Sequence, residues 1–180
     1  MAPYREEHTL EDGRVLLIRE AIEDDAQAIV EHCERIGGET DFLSYGQGEF
    51  GITVDEERVF IREYPLRGNV LMVGLVDGEL ASVANVERVS LRERLIHTGA
   101  LGITVQKAFW GCGIGMGVMR ALVDWSRQAG LQKLNLEVYA NNERAIAMYK
   151  RLGFEREGRN RRSLRLGDSF VDGLWMGLLL

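Results

Sequence analysis

Proline and cysteine are scarce: the 180 residues hold two of each. Cys33 and Cys112 lie far apart at no metal-ligand spacing, so neither a disulfide framework nor a metal site is expected, and a reducing cytoplasm is the simplest setting. With Pro3 and Pro65 alone, no Gly/Pro/Ser-rich linker and no internal repeat, one domain over residues 1–180 is expected. No apolar run approaches the length needed to cross a bilayer, and Met1–Gly13 is polar and mixed in charge, without a signal-peptide core. Positive charge is in deficit, 22 Lys and Arg against 28 Asp and Glu, giving a net charge of −6. That disfavours nucleic acid as a partner, since phosphate binding depends on clustered Lys and Arg. A soluble cytoplasmic protein that engages neither membrane nor nucleic acid is the expectation.

What is present is an ordinary globular composition, 46% hydrophobic and 28% charged. Arg14–Arg19 encloses four apolar residues and reads as an opening strand. From Glu23 to Ile36 the residues Ala26, Ile29, Val30 and Cys33 recur at helical spacing, with Gly37-Gly38 expected to stop the helix. Thr40–Thr53 is glycine-rich and aromatic, hence a loop; Asp55–Tyr64 reads as a second helix ended by Pro65. Asn69–Val76 and Glu79–Val89 flank Asp77-Gly78, a strong hairpin signal. Leu95–Val105 reads as a strand, Gly113–Gln128 as a helix, Leu134–Val138 as a buried strand, and Glu143–Leu152 as a helix closed by Gly153. Two strands, Phe154–Leu166 and Phe170–Leu179, turn at Gly167-Asp168. This mixture predicts an α/β fold of mixed α+β type.

The informative stretch is Leu101–Phe154. A strand, Leu101-Gly102-Ile103-Thr104-Val105, leads through Trp110-Gly111-Cys112-Gly113-Ile114-Gly115 directly into a helix. A helix start leaves backbone N–H groups unpaired and is partly positive, and glycines allow an anion close to those amides. The turn therefore proposes a pyrophosphate site. A Walker loop is excluded because Gly-Lys-Ser/Thr is absent. The dinucleotide fingerprint fails because the sixth position from Gly111 or Gly113 is Met116 or Val118, although Glu137 lies at a suitable distance for a ribose-binding acid.

Val105 followed by Gly111-x-Gly113-Ile114-Gly115 resembles the acyl-CoA signature of the GNAT superfamily of N-acetyltransferases, with Trp110 where that family usually has Gln or Arg. Downstream, Leu136-x-Val138-x-x-Asn141-x-x-x-Ala145-x-x-x-Tyr149-x-x-x-Gly153-Phe154 is similar to the family's second signature. The ending, Phe154–Gly158 with Arg159-Asn160-Arg161-Arg162 and Asp172, resembles the branch acting on ribosomal-protein amino termini and its small-amine relatives. The resemblance implies a mostly antiparallel central sheet splayed near Val105 to admit acetyl-CoA, with helices on both faces. It implies direct transfer of acetyl from acetyl-CoA to an amine. Ile103, Thr104 and Val105 would pair with the pantetheine arm, and Trp110, Gly111, Cys112, Gly113, Ile114 and Gly115 would give amides to the pyrophosphate. Asn141 would hold the cofactor or the splayed strands, Asn142 being the better helix cap, and Tyr149 would protonate the leaving thiolate.

The base stays open among Glu87, His97 and Glu137; where some relatives carry a glutamate this chain has Ala100. Cys112 reads as a small turn residue, not an acyl carrier. Arg156, Arg159, Arg161, Arg162 and Arg165 read as a solvated hairpin. The acceptor amine is expected against Thr40–Gly51, where Asp41, Phe42 and Tyr45 offer charge and aromatic surface. The tail Leu174–Leu180 suits a homodimer contact as well as a core strand. The alternative function is a non-catalytic acyl-CoA sensor or interaction module on the same fold.

Overall fold

The computed structural model describes residues 2–180. In chain order the elements are β1 (Arg5–Thr9), β2 (Val15–Glu20), α1 (Ala26–Glu39), α2 (Val54–Glu63), β3 (Val70–Val76), β4 (Glu79–Arg88), β5 (Thr98–Val105), α3 (Ile114–Gln128), β6 (Lys133–Tyr139), α4 (Glu143–Arg151), β7 (Glu155–Leu166) and β8 (Ser169–Leu179), with single 3-10 turns before α1, after α2 and after β5. All eight strands form one sheet in the order β1-β2-β3-β4-β5-β6-β8-β7. Every neighbouring pair is antiparallel except β5 and β6. This is the mixed, mostly antiparallel sheet with helices on both faces that the sequence leads one to expect.

Both faces of the sheet centre are covered, which explains why β3 is an uninterrupted apolar run. Val70, Met72 and Val76 join the core under α3 and α4, with Leu16, Met119, Leu122, Leu134 and Met176. Leu71 and Val73 join a second, smaller core under α1 and α2, with Ala26, Ile29, Cys33 and Ile61. The outer strands, β1 and β7, are mostly exposed and rich in charge. The arginines of β7 form the solvated hairpin expected of them; Arg159 donates to Asp172 at 2.6 Å.

The structure departs from the sequence reading at three points. β1 went unseen because its residues, Arg5-Glu-Glu-His-Thr, bury almost nothing. Strand β5 begins at Thr98, not Leu95: the N–H groups of Leu95 and Ile96 both donate to Arg92 O in a turn. The apolar tail takes the core-strand role open to it, since β8 pairs with β6 on one side and β7 on the other. Helix α1 does not stop at Gly37-Gly38 but runs to Glu39. The reason is tertiary. A Cβ on Gly37 would lie 2.7 Å from Gly46 O, so the glycine lets the helix abut the loop of residues 40–53.

Candidate functional site

Strands β5 and β6 pair only from Thr98–Ala100 to Lys133–Asn135. Beyond that they part: β5 continues along β4 to Val105, while β6 continues along β8 to Tyr139. Val89 N–H donates to Thr98 O and Gln106 N–H to Ala81 O, each at 3.0 Å. With Thr104 opposite Val83 and Gly102 opposite Asn85, antiparallel alternation turns the main chain of the even-numbered β5 residues toward β4. Ser82 Oγ also donates to Thr104 O at 2.7 Å. The main-chain groups of Ile103 and Val105 therefore point into the gap. Of the three strand residues expected to pair with a ligand arm, Thr104 is paired with β4 and the Val105 carbonyl is taken by the Trp110 indole, which leaves the main chain of Ile103 and the Val105 N–H facing the gap.

The glycine turn stands at the open end of that gap. Gly111 and Gly113 have φ of 87° and 82°, in the left-handed region where a side chain is strained. No side chain caps α3, and its first turn carries no acidic residue. Its leading N–H groups are thus free for an anion, as a pyrophosphate requires. Trp110 does not reach outward as a Gln or Arg would: its indole Nε1 donates to Val105 O at 2.8 Å. The Arg144 guanidinium lies over the Trp110 ring, 5.2 Å from its centroid, bringing positive charge to the same mouth.

Helix α4 forms the opposite wall. Asn142 caps it, its Oδ1 accepting from Ala145 N at 3.2 Å, which leaves the neighbouring Asn141 side chain exposed. Tyr149 is buried, packs on Phe154 with ring centroids 5.9 Å apart, and its phenol is pushed up to about 12 by burial. The Tyr149 hydroxyl bonds to no protein atom among the described residues. One cavity of about 700 Å³ is lined by Ile103, Thr104, Val105, Trp110, Gly111, Gly113, Ile114, Gly115, Asn141 and Tyr149 together. Of the residues expected to bind the cofactor, only Cys112 does not line it; Arg14 Nη2 donates to its Sγ at 3.4 Å.

The cavity continues past β5 to a wall from the other face, made by Ile36, Thr40, Phe42 and Leu43. Asp41 and Tyr45, expected there with Phe42, do not line it; Tyr45 instead stacks on Phe50 with centroids 5.5 Å apart. None of the three candidate bases lines it either. Glu87 and Glu137 are exposed on their strands, and Glu137 accepts from Ser163 Oγ at 2.6 Å. His97 precedes β5, its carbonyl accepting from Gln132 N at 2.8 Å.

Sequence reasoning missed His32, Arg144 and Ile36, while Thr40, Phe42 and Leu43 fall within the Thr40–Gly51 segment expected to face the acceptor. His32 was within reach, since it falls on the apolar face of α1 between Ile29 and Cys33. It is fully buried, with Nε2 2.8 Å from Thr104 Oγ1 and Nδ1 3.3 Å from Gln106 Nε2. Arg35 Nη1 donates to Gln106 Oε1 at 2.8 Å, which fixes the amide and makes Nδ1 the acceptor. Nε2–H then donates to Thr104 Oγ1, which donates onward to Val83 O at 3.1 Å. Burial, aided by Arg35, pushes the imidazole down to about 4 from its ordinary 6.5. Between those values the unfolded chain binds a proton that the folded one refuses. This contribution to stability is therefore complete above about pH 6.5 and is lost as pH falls toward 4, on the order of 3 kcal/mol in all. Urea midpoints at pH 7 and 4.5 should show less acid loss in His32→Gln than in wild type; equal losses would rule the linkage out.

Comparison with known proteins places this geometry in a family. The L-amino acid N-acetyltransferase AaaT of Escherichia coli (strain K12) is 28% identical over 109 residues, covering 58% of this chain and 65% of that protein. The N-alpha-acetyltransferase RimI of Mycobacterium tuberculosis is 35% identical over 86 residues, covering 48% of this chain and 50% of that one. The chain thus matches half to two-thirds of the length of these curated relatives. Among solved structures, a GNAT-family acetyltransferase from Streptococcus pneumoniae superposes with a TM-score of 0.87 at 29% identity, covering 92% of this chain and 99% of that one. The acetyltransferase (GNAT) family model matches residues 39–154, which takes in Thr40, Phe42 and Leu43 of the apolar wall, the parted strands, the glycine turn and Tyr149. By that match, over more than half of its length, the chain belongs to the acetyltransferase (GNAT) family.

Proposed function

We propose that the chain is an acetyl-CoA-dependent N-acetyltransferase that moves the acetyl group directly onto a primary amine. The observation that carries this is the gap inside the sheet, where free main chain, an anion-binding turn and a buried phenol meet in one cavity. Acetyl-CoA supplies a thioester, an activated acetyl group on a thiolate leaving group. The amides of Gly111–Gly115 would hold its pyrophosphate, with Arg144 adding charge. The main chain of Ile103 and the Val105 N–H would hold the amide-bearing arm as if it were a missing strand. Asn141 would steady the arm from the α4 side.

In the transfer the amine nitrogen bonds to the thioester carbon and the carbon–sulfur bond breaks. Main-chain N–H groups in the gap polarise the carbonyl, and Tyr149 gives its proton to the departing sulfur. The surplus proton on nitrogen leaves through water, because neither a carboxylate nor a free imidazole lines the acceptor side among the described residues. With β1–β8 in one sheet, we read the chain as one N-acetyltransferase domain. A cytoplasmic site of action fits its two free thiols.

The test is release of free thiol from acetyl-CoA in the presence of primary amines, with acetyl-CoA binding measured by calorimetry. Thiol release should need both substrates. Gly113→Val, at a φ of 82° that a β-branched residue resists, should raise KM for acetyl-CoA about 10-fold and leave KM for the amine unchanged. Binding without thiol release on any amine would instead identify a non-catalytic acyl-CoA sensor.

A further inference from the structure

The two halves of the cavity differ in charge, and the difference bears on what the acceptor is. Its charged lining residues, Glu143, Arg144 and Arg151, all stand on α4. The half beyond β5 offers Ile36, Phe42 and Leu43, with two hydroxyls that are already engaged. Thr104 Oγ1 is held by His32 and Val83, and Thr40 Oγ1 accepts from Phe42 N at 3.2 Å. The nearby charges are directed elsewhere: Arg35 to Gln106, and the Glu39 carboxylate to Lys107 N at 2.7 Å. Asp41 is exposed outside the cavity.

We infer that the acceptor is a primary amine carried on a neutral apolar or aromatic group, not a polyamine, an aminoglycoside or a free zwitterionic amino acid; this rests on the acetyl-transfer reading above. A second ammonium or a carboxylate entering that half would lose its hydration and meet no counter-charge, a cost of several kcal/mol that shows up as discrimination. An arylalkylamine and a peptide amino terminus with a hydrophobic first residue both meet the requirement. The free amino acid that names the Escherichia coli relative's substrate class is the sharpest contrast.

The experiment compares kcat/KM for 2-phenylethylamine, phenylalanine amide and a short phenylalanine-initiated peptide with that for free phenylalanine, putrescine and spermidine. The first three should exceed the last three by about 30-fold or more, roughly one and a half tenfold steps of discrimination at the low end of such a desolvation cost. Whether phenylethylamine or the peptide leads distinguishes a small amine from a chain terminus, and either supports the inference. Phe42→Ala should lower kcat/KM for the preferred amine about 10-fold, the loss of one partly buried aromatic contact, without changing acetyl-CoA affinity. Leu43→Asp should shift preference toward spermidine, a change of direction that misfolding alone cannot produce. Equal or better turnover of spermidine or free phenylalanine, or a preference unmoved by both substitutions, overturns the inference and leaves acetyl transfer standing. Absence of turnover with every amine overturns both.

Discussion

Tyr149→Phe should lower kcat by about 100-fold or more while acetyl-CoA affinity and folding stability stay as they are. The substitution removes one oxygen that bonds to no protein atom among the described residues, so the ring keeps its packing on Phe154. What is lost is the hydroxyl that lines the cavity, the proton donor proposed above. With its phenol pushed up to about 12, Tyr149 stays protonated across the working range, and kcat should show no alkaline fall from this group below about pH 10. A thiolate leaving into the same buried surroundings is disfavoured by the same desolvation, so donor and acceptor are raised together. Single-turnover measurement separates chemistry from product release; a rate within about threefold of wild type would remove Tyr149 from the acid role.

Gly37→Ala should raise KM for the acceptor about 10-fold, destabilise the fold by about 1–3 kcal/mol and leave acetyl-CoA affinity unchanged. The added Cβ would stand 2.7 Å from Gly46 O and 3.3 Å from the Tyr45 ring, so the helix or the loop must retreat. That loop carries Thr40, Phe42 and Leu43 onto the cavity. The neighbouring glycine gives the control. Gly38 is exposed, a Cβ there meets only the Gln47 side chain at 3.4 Å, and alanine is the better helix former. Gly38→Ala should therefore stabilise the protein by up to about 1 kcal/mol with unaltered kinetics. Thermal melts together with initial rates on both variants check the pair. Two variants that moved in the same direction would show that the contact with Gly46 does not hold the loop.

Features set by neighbouring residues were legible in the sequence. Asp77-Gly78 between two apolar runs announces the β3–β4 hairpin, and Gly111 and Gly113 before an apolar helix announce the tight turn that opens α3. The parted sheet follows only from the resemblance of Val105–Gly115 and Leu136–Phe154 to the family's two signatures. Features set by partners distant in the chain were not legible. Nothing within Gly37-Gly38 reveals Gly46, so a helix that continues reads as one that stops. The indole of Trp110 finds Val105 O only through the curve of the turn. The apolar wall draws Ile36 and Leu43 from a helix end and a loop, and no local pattern marks them as neighbours of β5. β1 was hidden for a different reason: an edge strand with an exposed surface has no hydrophobic periodicity to show.

The parting of β5 from β6 also bears on aggregation. An unpaired strand edge invites pairing with another chain, and the outer edges of this sheet, β1 and β7, are guarded by charge. The inner edge has no such guard: Leu101-Gly102-Ile103-Thr104-Val105 carries neither charge nor proline. What protects it is access, because β6, Trp110 and α4 stand around it and a second chain cannot lie alongside. Loosening of α4 would remove that protection at once and expose an uncharged, β-prone segment already extended for pairing. Self-association should therefore begin at this segment, and a ligand that fills the gap should suppress it by occupying the same hydrogen-bonding groups.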